Sequence, residues 1–192
     1  WLHSASIPSL TLRGTAPPIL SDAVITGFAN GRIQVIDRDR GIPVIDQRIA
    51  ASQGQSDLER LVDIDGLLAR DNNMLYVASY QGNLLALDLA ENRVRWGAPA
   101  STVTGVNFGF GSVYLSSADG EIFSYNSSNG RENWKNEALL YRDLTVPVPI
   151  GNYLAVSDFE GYVHLIAQSD GRFVGRVRVD GDGINSPVVV DG

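Results

Sequence analysis

The 192-residue sequence contains no cysteine, two histidines and one methionine. Without cysteine, disulfide bonds, thiolate metal sites and a cysteine nucleophile are all excluded. His3 and His164 lie 161 residues apart, and neither belongs to a recognisable hydrolase, phosphate-loop or zinc-protease motif. His164 occurs in an alternating strand-like segment and is interpreted as a surface or interblade residue rather than a catalyst.

Long apolar runs and clusters of basic residues are also missing. No run approaches the roughly 18 apolar residues of a membrane-spanning helix, and the first residues do not form a secretory signal peptide. The net charge is −7, without a lysine or arginine cluster, which argues against binding a nucleic acid backbone. The apolar fraction of 44% and the charged fraction of 19% are those of an ordinary globular protein.

An internal repeat is the main positive signal. The stretches DGEIFSYNSSNGRENW and QGNLLALDLAENRVRW each have glycine second and tryptophan last, and they start 38 residues apart. Aligned on this glycine, four copies share apolar residues seven positions before it and two and five positions after it, and three of them have an apolar residue five positions before it, where the first copy has Thr26. The anchors are Gly31, Gly82, Gly120 and Gly161; ten positions later come Gly41, Asn92, Gly130 and Gly171, and fourteen later Ile45, Trp96, Trp134 and Gly175.

Each copy reads as a series of short strands. The runs on both sides of the anchor are rich in β-branched, aromatic and aliphatic residues, and the pair ending in glycine suits a tight hairpin. A second turn leads to a third strand that carries the tryptophan, and a less regular segment such as GTAPPIL or TVPVPIG supplies an inner strand. The pattern predicts an all-β fold, a β-propeller with four-stranded antiparallel blades repeating at roughly 40 residues.

The blades are predicted at approximately 14–49, 66–97, 105–135 and 145–180. The recurring tryptophan is expected to wedge between neighbouring blades. Because Trp1 falls at the same position of a preceding blade, residues 1–5 are predicted to be its terminal strand, and residues 185–192 the first strand of a following blade. The chain is therefore expected to be about half of a larger ring. A β-sandwich is the alternative, but it does not require the same residue types at the same offsets four times.

The blade motif GNLLALDL, followed by RVRW, lacks the G-H and W-D signals of WD40 repeats. It resembles the tryptophan-repeat blades of the quinoprotein (PQQ-like) superfamily. Two further segments, PSLTLRG (Pro8–Gly14) and DLERLVDID (Asp57–Asp65), resemble interblade segments of the BamB family of outer-membrane β-barrel assembly lipoproteins. The likeness covers essentially the whole chain and corresponds to the C-terminal half or more of an eight-bladed family member.

The resemblance implies a non-enzymatic scaffold without a cofactor. Members of the family bind the periplasmic POTRA domains of BamA and assist the insertion of outer-membrane β-barrels, and nascent outer-membrane proteins are a second partner class. They are tethered to the periplasmic face of the outer membrane by a lipidated N-terminal cysteine. That cysteine and the first blades do not occur in this sequence, so the anchor is an expectation from the resemblance alone.

The resemblance also places partner-binding positions at Leu10, Leu12, Arg13, Asp63 and Asp65. Leu10 and Leu12 alternate with polar residues, and an arginine beside leucines is typical of interface hot spots. The two aspartates are spaced by two, so in a strand they would share a face and could complement a basic partner. The alternative is that the leucines cover a blade end and that Arg13 pairs internally with one of the aspartates.

Between Gly41 and Leu75 the repeat spacing grows by about ten residues, near AASQGQSDLERL. Ser56 and Glu59 form a capping pattern, which predicts a helical turn. Such an insertion on a propeller rim is either a binding element or a solvated loop.

A quinoprotein-type propeller that binds a PQQ-like cofactor or another small ligand is the alternative function. Quinone dehydrogenases hold a calcium-bound quinone with carboxylates and amides, often beside vicinal cysteines. This sequence has no cysteine and no such set at recurrent inner-strand positions. DIDG (Asp63–Gly66) and DGDG (Asp180–Gly183) resemble the start of a calcium loop but lack its bidentate glutamate. They are interpreted as turns, and no metal site is predicted.

Overall fold

The computed structural model describes residues 1–4, 16–28, 30–48, 64, 66–80 and 82–189. The chain forms two compact units, Trp1–Gly105 and Val106–Gly192. Sixteen strands and no helix occur in the described residues, as expected from a sequence without helical periodicity. The described part of the chain accordingly has no helix that could cross a membrane.

The first unit contains two four-stranded sheets. In each sheet, consecutive strands lie side by side and antiparallel, so the chain meanders from one edge to the other. The first sheet comprises β1 (Ile19–Leu20), β2 (Ala23–Gly27), β3 (Arg32–Asp37) and β4 (Pro43–Arg48). The second comprises β5 (Ala69–Asp71), β6 (Met74–Ala78), β7 (Asn83–Asp88) and β8 (Arg93–Pro99).

The second unit repeats this arrangement. Its third sheet comprises β9 (Val106–Gly109), β10 (Ser112–Ser116), β11 (Ile122–Asn126) and β12 (Glu132–Asn136). Its fourth sheet comprises β13 (Val148–Ile150), β14 (Tyr153–Ser157), β15 (Tyr162–Ala167) and β16 (Phe173–Arg178). Both are again antiparallel meanders. The predicted four-stranded repeat unit is therefore present four times.

The turns follow the repeat that the sequence showed. At the second turn of each sheet, the residue ten positions after the anchor glycine has a positive φ: 67° for Gly41, 49° for Asn92, 71° for Gly130 and 73° for Gly171. Glycine and asparagine tolerate this left-handed conformation better than other residues. The alternation of glycine and asparagine at this offset is thus explained by backbone geometry.

In three of the four sheets the second strand is buried on both faces. Four consecutive residues are buried in β6, β10 and β14. Because successive side chains point to opposite faces, both faces of these strands are covered. In the second unit the apolar core joins Tyr114 and Ile122 of the third sheet to Leu154, Val156 and Ile166 of the fourth. The last strand of that unit, β16, is mostly exposed.

Trp134 wedges between the third and fourth sheets, as predicted. Its indole nitrogen donates a hydrogen bond of 2.8 Å to the Gln168 carbonyl, and its ring packs on Gly171 so closely that a Cβ there would clash. Trp1 makes the equivalent contacts in the first unit, with a 2.8 Å hydrogen bond to the Arg38 carbonyl and its ring on Gly41. In both cases the carbonyl belongs to the residue three positions before the glycine.

A β-bulge recurs in all four sheets between the third and fourth strands. The register shifts between Val35 and Ile36, Ala86 and Leu87, Ser124 and Tyr125, and Leu165 and Ile166. These positions lie four and five residues after each anchor glycine. The extra residue on each outermost strand is Val44, Arg95, Asn133 or Val174.

The remaining boundary predictions stay predictions. The described residues 1–4 and 185–189 contain no strand, so the terminal strands expected at 1–5 and 185–192 are not established. The helical turn expected around Ser56 and Glu59 lies outside the described residues.

Candidate functional site

The five predicted partner-binding residues, Leu10, Leu12, Arg13, Asp63 and Asp65, lie outside the described residues. The structure does describe the chain next to them, at Ala16, Ile64 and Gly66. These three positions show where the two predicted binding segments join the first unit.

Ala16 and Ile64 meet at one point, the last residue of β2. Both are buried, Ile64 completely. A Cβ built on Gly27 would lie 3.1 Å from Ile64 Cβ and 3.4 Å from Ala16 Cβ, and it would clash with Ile64 Cγ2. The Thr26 hydroxyl also donates a long hydrogen bond of 3.4 Å to the Ala16 carbonyl. Glycine at position 27 therefore allows the ends of both segments to reach the same end of the first sheet.

Ile64 is a core residue rather than a surface residue. It packs in one apolar cluster with Ile25, Ile33 and Leu75. Burying a side chain of this size stabilises a fold by about 1.5–3 kcal/mol. Since Ile64 stands between Asp63 and Asp65, this anchor fixes the position of the chain between the two predicted acidic residues.

The chain that follows Asp65 is held by a second backbone contact. The Leu67 amide donates a 3.0 Å hydrogen bond to the Thr104 carbonyl, and Leu67 and Gly105 form a parallel bridge. A Cβ on either Gly66 or Gly105 would clash with the backbone of the other segment, and Gly105 has a φ of 92°. The chain is thus held both at Ile64 and at the residues that follow Asp65.

A separate polar cluster lies in the second unit, around Asp158 at the turn after β14. Asp158 and His164 are both fully buried, and His164 Nε2 lies 2.7 Å from Asp158 Oδ2. The Arg142 Nε donates to the same oxygen at 2.5 Å. Asp158 Oδ1 accepts hydrogen bonds of 3.0 Å from the backbone amides of Glu160 and Tyr162.

These contacts determine the ionisation of Asp158. Burial raises the pKa of this carboxyl, but hydrogen bonds from His164, the Tyr162 amide and Arg142 together outweigh burial and hold its pKa below the usual value. The carboxylate joins Arg142, in the segment between β12 and β13, to the turn between β14 and β15. Of the two alternatives predicted for His164, a surface or an interblade position, the surface position is wrong, because its side chain is 0% exposed. The position of His164 in its strand did not indicate that its ring contacts the carboxylate of Asp158, six residues earlier.

The polar cluster around Asp158 is buried rather than open to a ligand. The Asp158–His164 pair is closed to solvent, so no substrate reaches it in this conformation. Within the described ranges, no group of three or more histidine, aspartate or glutamate residues is placed to hold a metal ion. In the Asp180–Gly183 stretch, Asp180 Oδ1 accepts a 3.1 Å hydrogen bond from the Asp182 amide, which is ordinary turn chemistry.

The chain is similar to proteins of one described family. The family described as "Outer membrane protein assembly factor BamB" matches residues 1–136. The protein of that name from Pseudomonas aeruginosa is 45% identical over 188 residues, which are 97% of this chain and 50% of the relative. The one from Kangiella koreensis is 38% identical over 193 residues, covering 100% of this chain and 50% of the relative. The chain thus spans about half the length of the curated relatives it matches.

A solved structure agrees with the sequence comparison. The crystal structure of BamB from Moraxella catarrhalis superimposes with a TM-score of 0.89 at 34% identity, over 95% of this chain and 55% of that chain. The four sheets correspond to its propeller blades, which confirms the predicted all-β propeller fold. The chain belongs to the BamB family of outer membrane protein assembly factors.

Proposed function

We propose that this chain is the partner-binding part of an outer-membrane assembly scaffold, and that its partner is the periplasmic POTRA region of BamA. The protein acts without catalysis, at the periplasmic face of the outer membrane, where a lipid anchor outside this sequence holds it. Its role is to support the insertion of β-barrel proteins, and nascent outer-membrane proteins are a second class of partner.

The observation that carries this proposal is the meeting of Ala16 and Ile64 at Gly27. Arg13 is three residues from Ala16, so the chain keeps it within roughly 11 Å of that residue. Asp63 and Asp65 flank Ile64, whose side chain points into the core. In an extended segment the neighbours of an inward-pointing residue face outward. One surface can therefore present Leu10, Leu12 and Arg13 beside Asp63 and Asp65.

The composition of this surface suits a protein partner. Leucines beside an arginine provide the apolar and bidentate contacts that dominate binding energy at interface hot spots. The two carboxylates set specificity and increase the association rate with a basic patch. Residues of both charges at one place also select a partner with a matching pattern, as a scaffold in a defined complex requires.

Substitution in the two segments tests the proposal. We expect Arg13→Ala and Asp65→Ala each to weaken binding to the purified BamA POTRA domains about tenfold, because each removes a desolvated charged contact. Isothermal titration calorimetry measures the affinity. The matched controls are Arg40→Ala and Asp39→Ala, two exposed residues in the turn at the other end of the first sheet.

Thermal unfolding separates this proposal from an internal Arg13–aspartate pair. If Arg13 binds the partner, Arg13→Ala leaves the unfolding midpoint unchanged while binding is lost. If it pairs internally, the midpoint falls, and the charge-swapped variant Arg13→Asp with Asp65→Arg restores both stability and binding. Wild-type affinity in both single variants would remove the two segments from the interface.

A further inference from the structure

A groove of about 680 Å³ lies between the third and fourth sheets of the second unit, at the end of β14 opposite Asp158. Grooves of this size are large enough to bind small ligands or peptide segments. Tyr114 and Ala167 are buried at its base, whereas Phe110 and Tyr153 are exposed along its side. The other lining residues are Ser112, Asn133, Trp134, Gly151, Asn152, Gln168, Ser169 and Arg172.

Phe110 occupies an unfavourable backbone position. With Gly111 it forms the two-residue turn between β9 and β10, and their φ values are 50° and 74°. The equivalent turns of the second and fourth sheets place Asn72 (φ 51°) and Gly151 (φ 53°) at this position. Asparagine and glycine adopt left-handed φ values readily, whereas a phenylalanine is strained by them.

The phenylalanine does not offset this strain by packing, because its side chain is 76% exposed. Two sheets of the same chain show that the turn forms with residues that suit it better. A strained and exposed aromatic residue that also borders a groove points to a role in binding. The ring of Phe110 stands at the side of the groove, where an apolar side chain of a ligand can pack on it.

Among the described residues, Arg172 is the single charged residue that lines the groove. Its guanidinium makes no ion pair with the part of the chain that the structure describes, although its backbone amide donates to Asp170 Oδ1 at 3.2 Å. An arginine of this kind in a protein of net charge −7 favours an anionic group on the ligand.

Gln168 holds the groove in shape. Its Oε1 accepts a 2.9 Å hydrogen bond from the Tyr114 hydroxyl, and its Nε2 donates to the carbonyls of Gly151 and Tyr153 at 2.7 and 2.9 Å. These bonds join the two sheets across the base of the groove. The groove therefore loses little conformational entropy when a ligand binds. Asn152 and Ser169 add an amide and a hydroxyl that suit the donors and acceptors of a peptide backbone.

We propose that this groove binds an extended polypeptide segment that carries an aromatic or aliphatic side chain next to a carboxylate. The apolar side chain packs on Phe110 and Tyr153, and the carboxylate pairs with Arg172. The site is independent of the surface at Gly27, because all of its residues belong to the second unit.

The probe is a capped hexapeptide, acetyl-Gly-Ser-Phe-Glu-Ser-Gly-amide, titrated into the whole chain and followed by NMR chemical shifts. We expect saturable binding that weakens about tenfold in Phe110→Asn and in Arg172→Gln. Peptides in which alanine replaces phenylalanine, or glutamine replaces glutamate, are expected to bind with an affinity reduced to the same degree. The matched controls Tyr141→Asn and Arg131→Gln leave the affinity unchanged.

These controls are close matches. Tyr141 is also an exposed aromatic residue in a left-handed conformation, with a φ of 61° and 79% exposure, but it does not line the groove. Arg131 follows Gly130 as Arg172 follows Gly171, in the equivalent turn of the third sheet. Loss of binding in the groove variants alone therefore reports the groove and not a general loss of charge or aromatic surface.

Thermal unfolding excludes misfolding as the cause. Because relief of left-handed strain stabilises the fold, we expect Phe110→Asn and Tyr141→Asn each to raise the unfolding midpoint by roughly 2–4 °C. Reduced binding by a more stable variant supports the site. The proposal is overturned if the peptide fails to bind, if Phe110→Asn binds it normally, or if a chitooligosaccharide binds through Phe110 while the peptide does not.

Discussion

At the scale of single residues, the second unit depends on the buried carboxylate of Asp158. It accepts hydrogen bonds from His164, Arg142 and two backbone amides, and it has no exposed surface. A buried charge is tolerated when it has this many hydrogen-bond partners. Removing the charge destabilises the fold, because its partners then remain buried without it. The hydrogen bonds of Asp158 therefore fix the position of the turn after β14 against the segment that contains Arg142.

Replacement of Asp158 by asparagine is expected to destabilise the second unit by about 3 kcal/mol at pH 7, because it leaves Arg142 without its buried counter-charge. Urea denaturation followed by circular dichroism measures the loss. Asp119→Asn, an exposed aspartate in the equivalent hairpin of the third sheet, is the control and is expected to change stability by less than about 0.5 kcal/mol.

The same substitution has a defined pH dependence. Since the pKa of Asp158 is lower in the folded chain than the usual 3.8, the unfolded chain takes up a proton first as the pH falls. The stabilisation by Asp158 is complete above about pH 4 and is lost as the pH falls through the lower folded value. The gap between wild type and Asp158→Asn is expected to shrink over that range. A constant gap from pH 7 to pH 2.5 would contradict the ionised network.

Single residues also show how far the sequence could be read. The positions ten residues after each anchor were predictable, because left-handed turns leave a signature of glycine and asparagine. His164 was not, since a histidine in an alternating strand looks the same whether a carboxylate or water faces it. Phe110 escaped notice for a different reason: its strain is visible only beside the turns at Asn72 and Gly151.

At the scale of elements, the sheets are held together by contacts that repeat with the sequence. Trp134 packs on Gly171 and bonds to the Gln168 carbonyl, and its ring lies 6.2 Å from that of Tyr114. The corresponding pair Tyr76 and Trp96 in the first unit has a centroid distance of 6.0 Å. The tryptophan position was predictable from the repeat. Its tyrosine partner, six residues before the anchor in both sheets, was not identified because the other copies lack it.

Two substitutions of Trp134 separate packing from hydrogen bonding. Trp134→Ala is expected to destabilise the second unit by about 3–5 kcal/mol, because it opens a cavity between the third and fourth sheets. Trp134→Phe keeps an aromatic ring but loses the indole hydrogen bond. It is expected to lower the free energy of unfolding mainly through the loss of that bond, by about 1 kcal/mol. Equilibrium denaturation measures both. Equal losses in the two variants would show that the ring itself contributes little.

At the scale of the whole molecule, the net charge of the chain predicts the charge of the surface that it binds. The net charge of −7 is spread over a chain without a basic cluster. Such a chain attracts a basic partner at a distance, and this attraction is screened by salt. The surface of the POTRA domains that is proposed to bind this chain is accordingly expected to be basic.

Stopped-flow association with the POTRA domains tests this at increasing ionic strength. The association rate is expected to fall severalfold between about 20 and 200 mM salt, while the dissociation rate changes less. The neutral variant Asp65→Asn is expected to show a shallower dependence than wild type, and Asp39→Asn the same dependence. A rate independent of salt in wild type would contradict electrostatic steering by this surface.

The arrangement of the predicted site could be foreseen only in part. The segments Pro8–Gly14 and Asp57–Asp65 stood out because they interrupt the repeat. The meeting of Ala16 and Ile64 at Gly27 could not be predicted, because it depends on Ile64 entering the core, and an isoleucine between two aspartates gives no such signal alone. Repeats reveal what blades share, whereas a binding surface is built from what they do not share.

The recurring bulge affects how the edge of each sheet can pair with strands of other proteins. Each outermost strand carries one surplus residue, so its outward row of amides and carbonyls is broken near the middle. A foreign strand laid along that edge would find its ladder out of step after a few bonds. The bulge therefore makes each outermost strand a poor template for strands of other β-proteins.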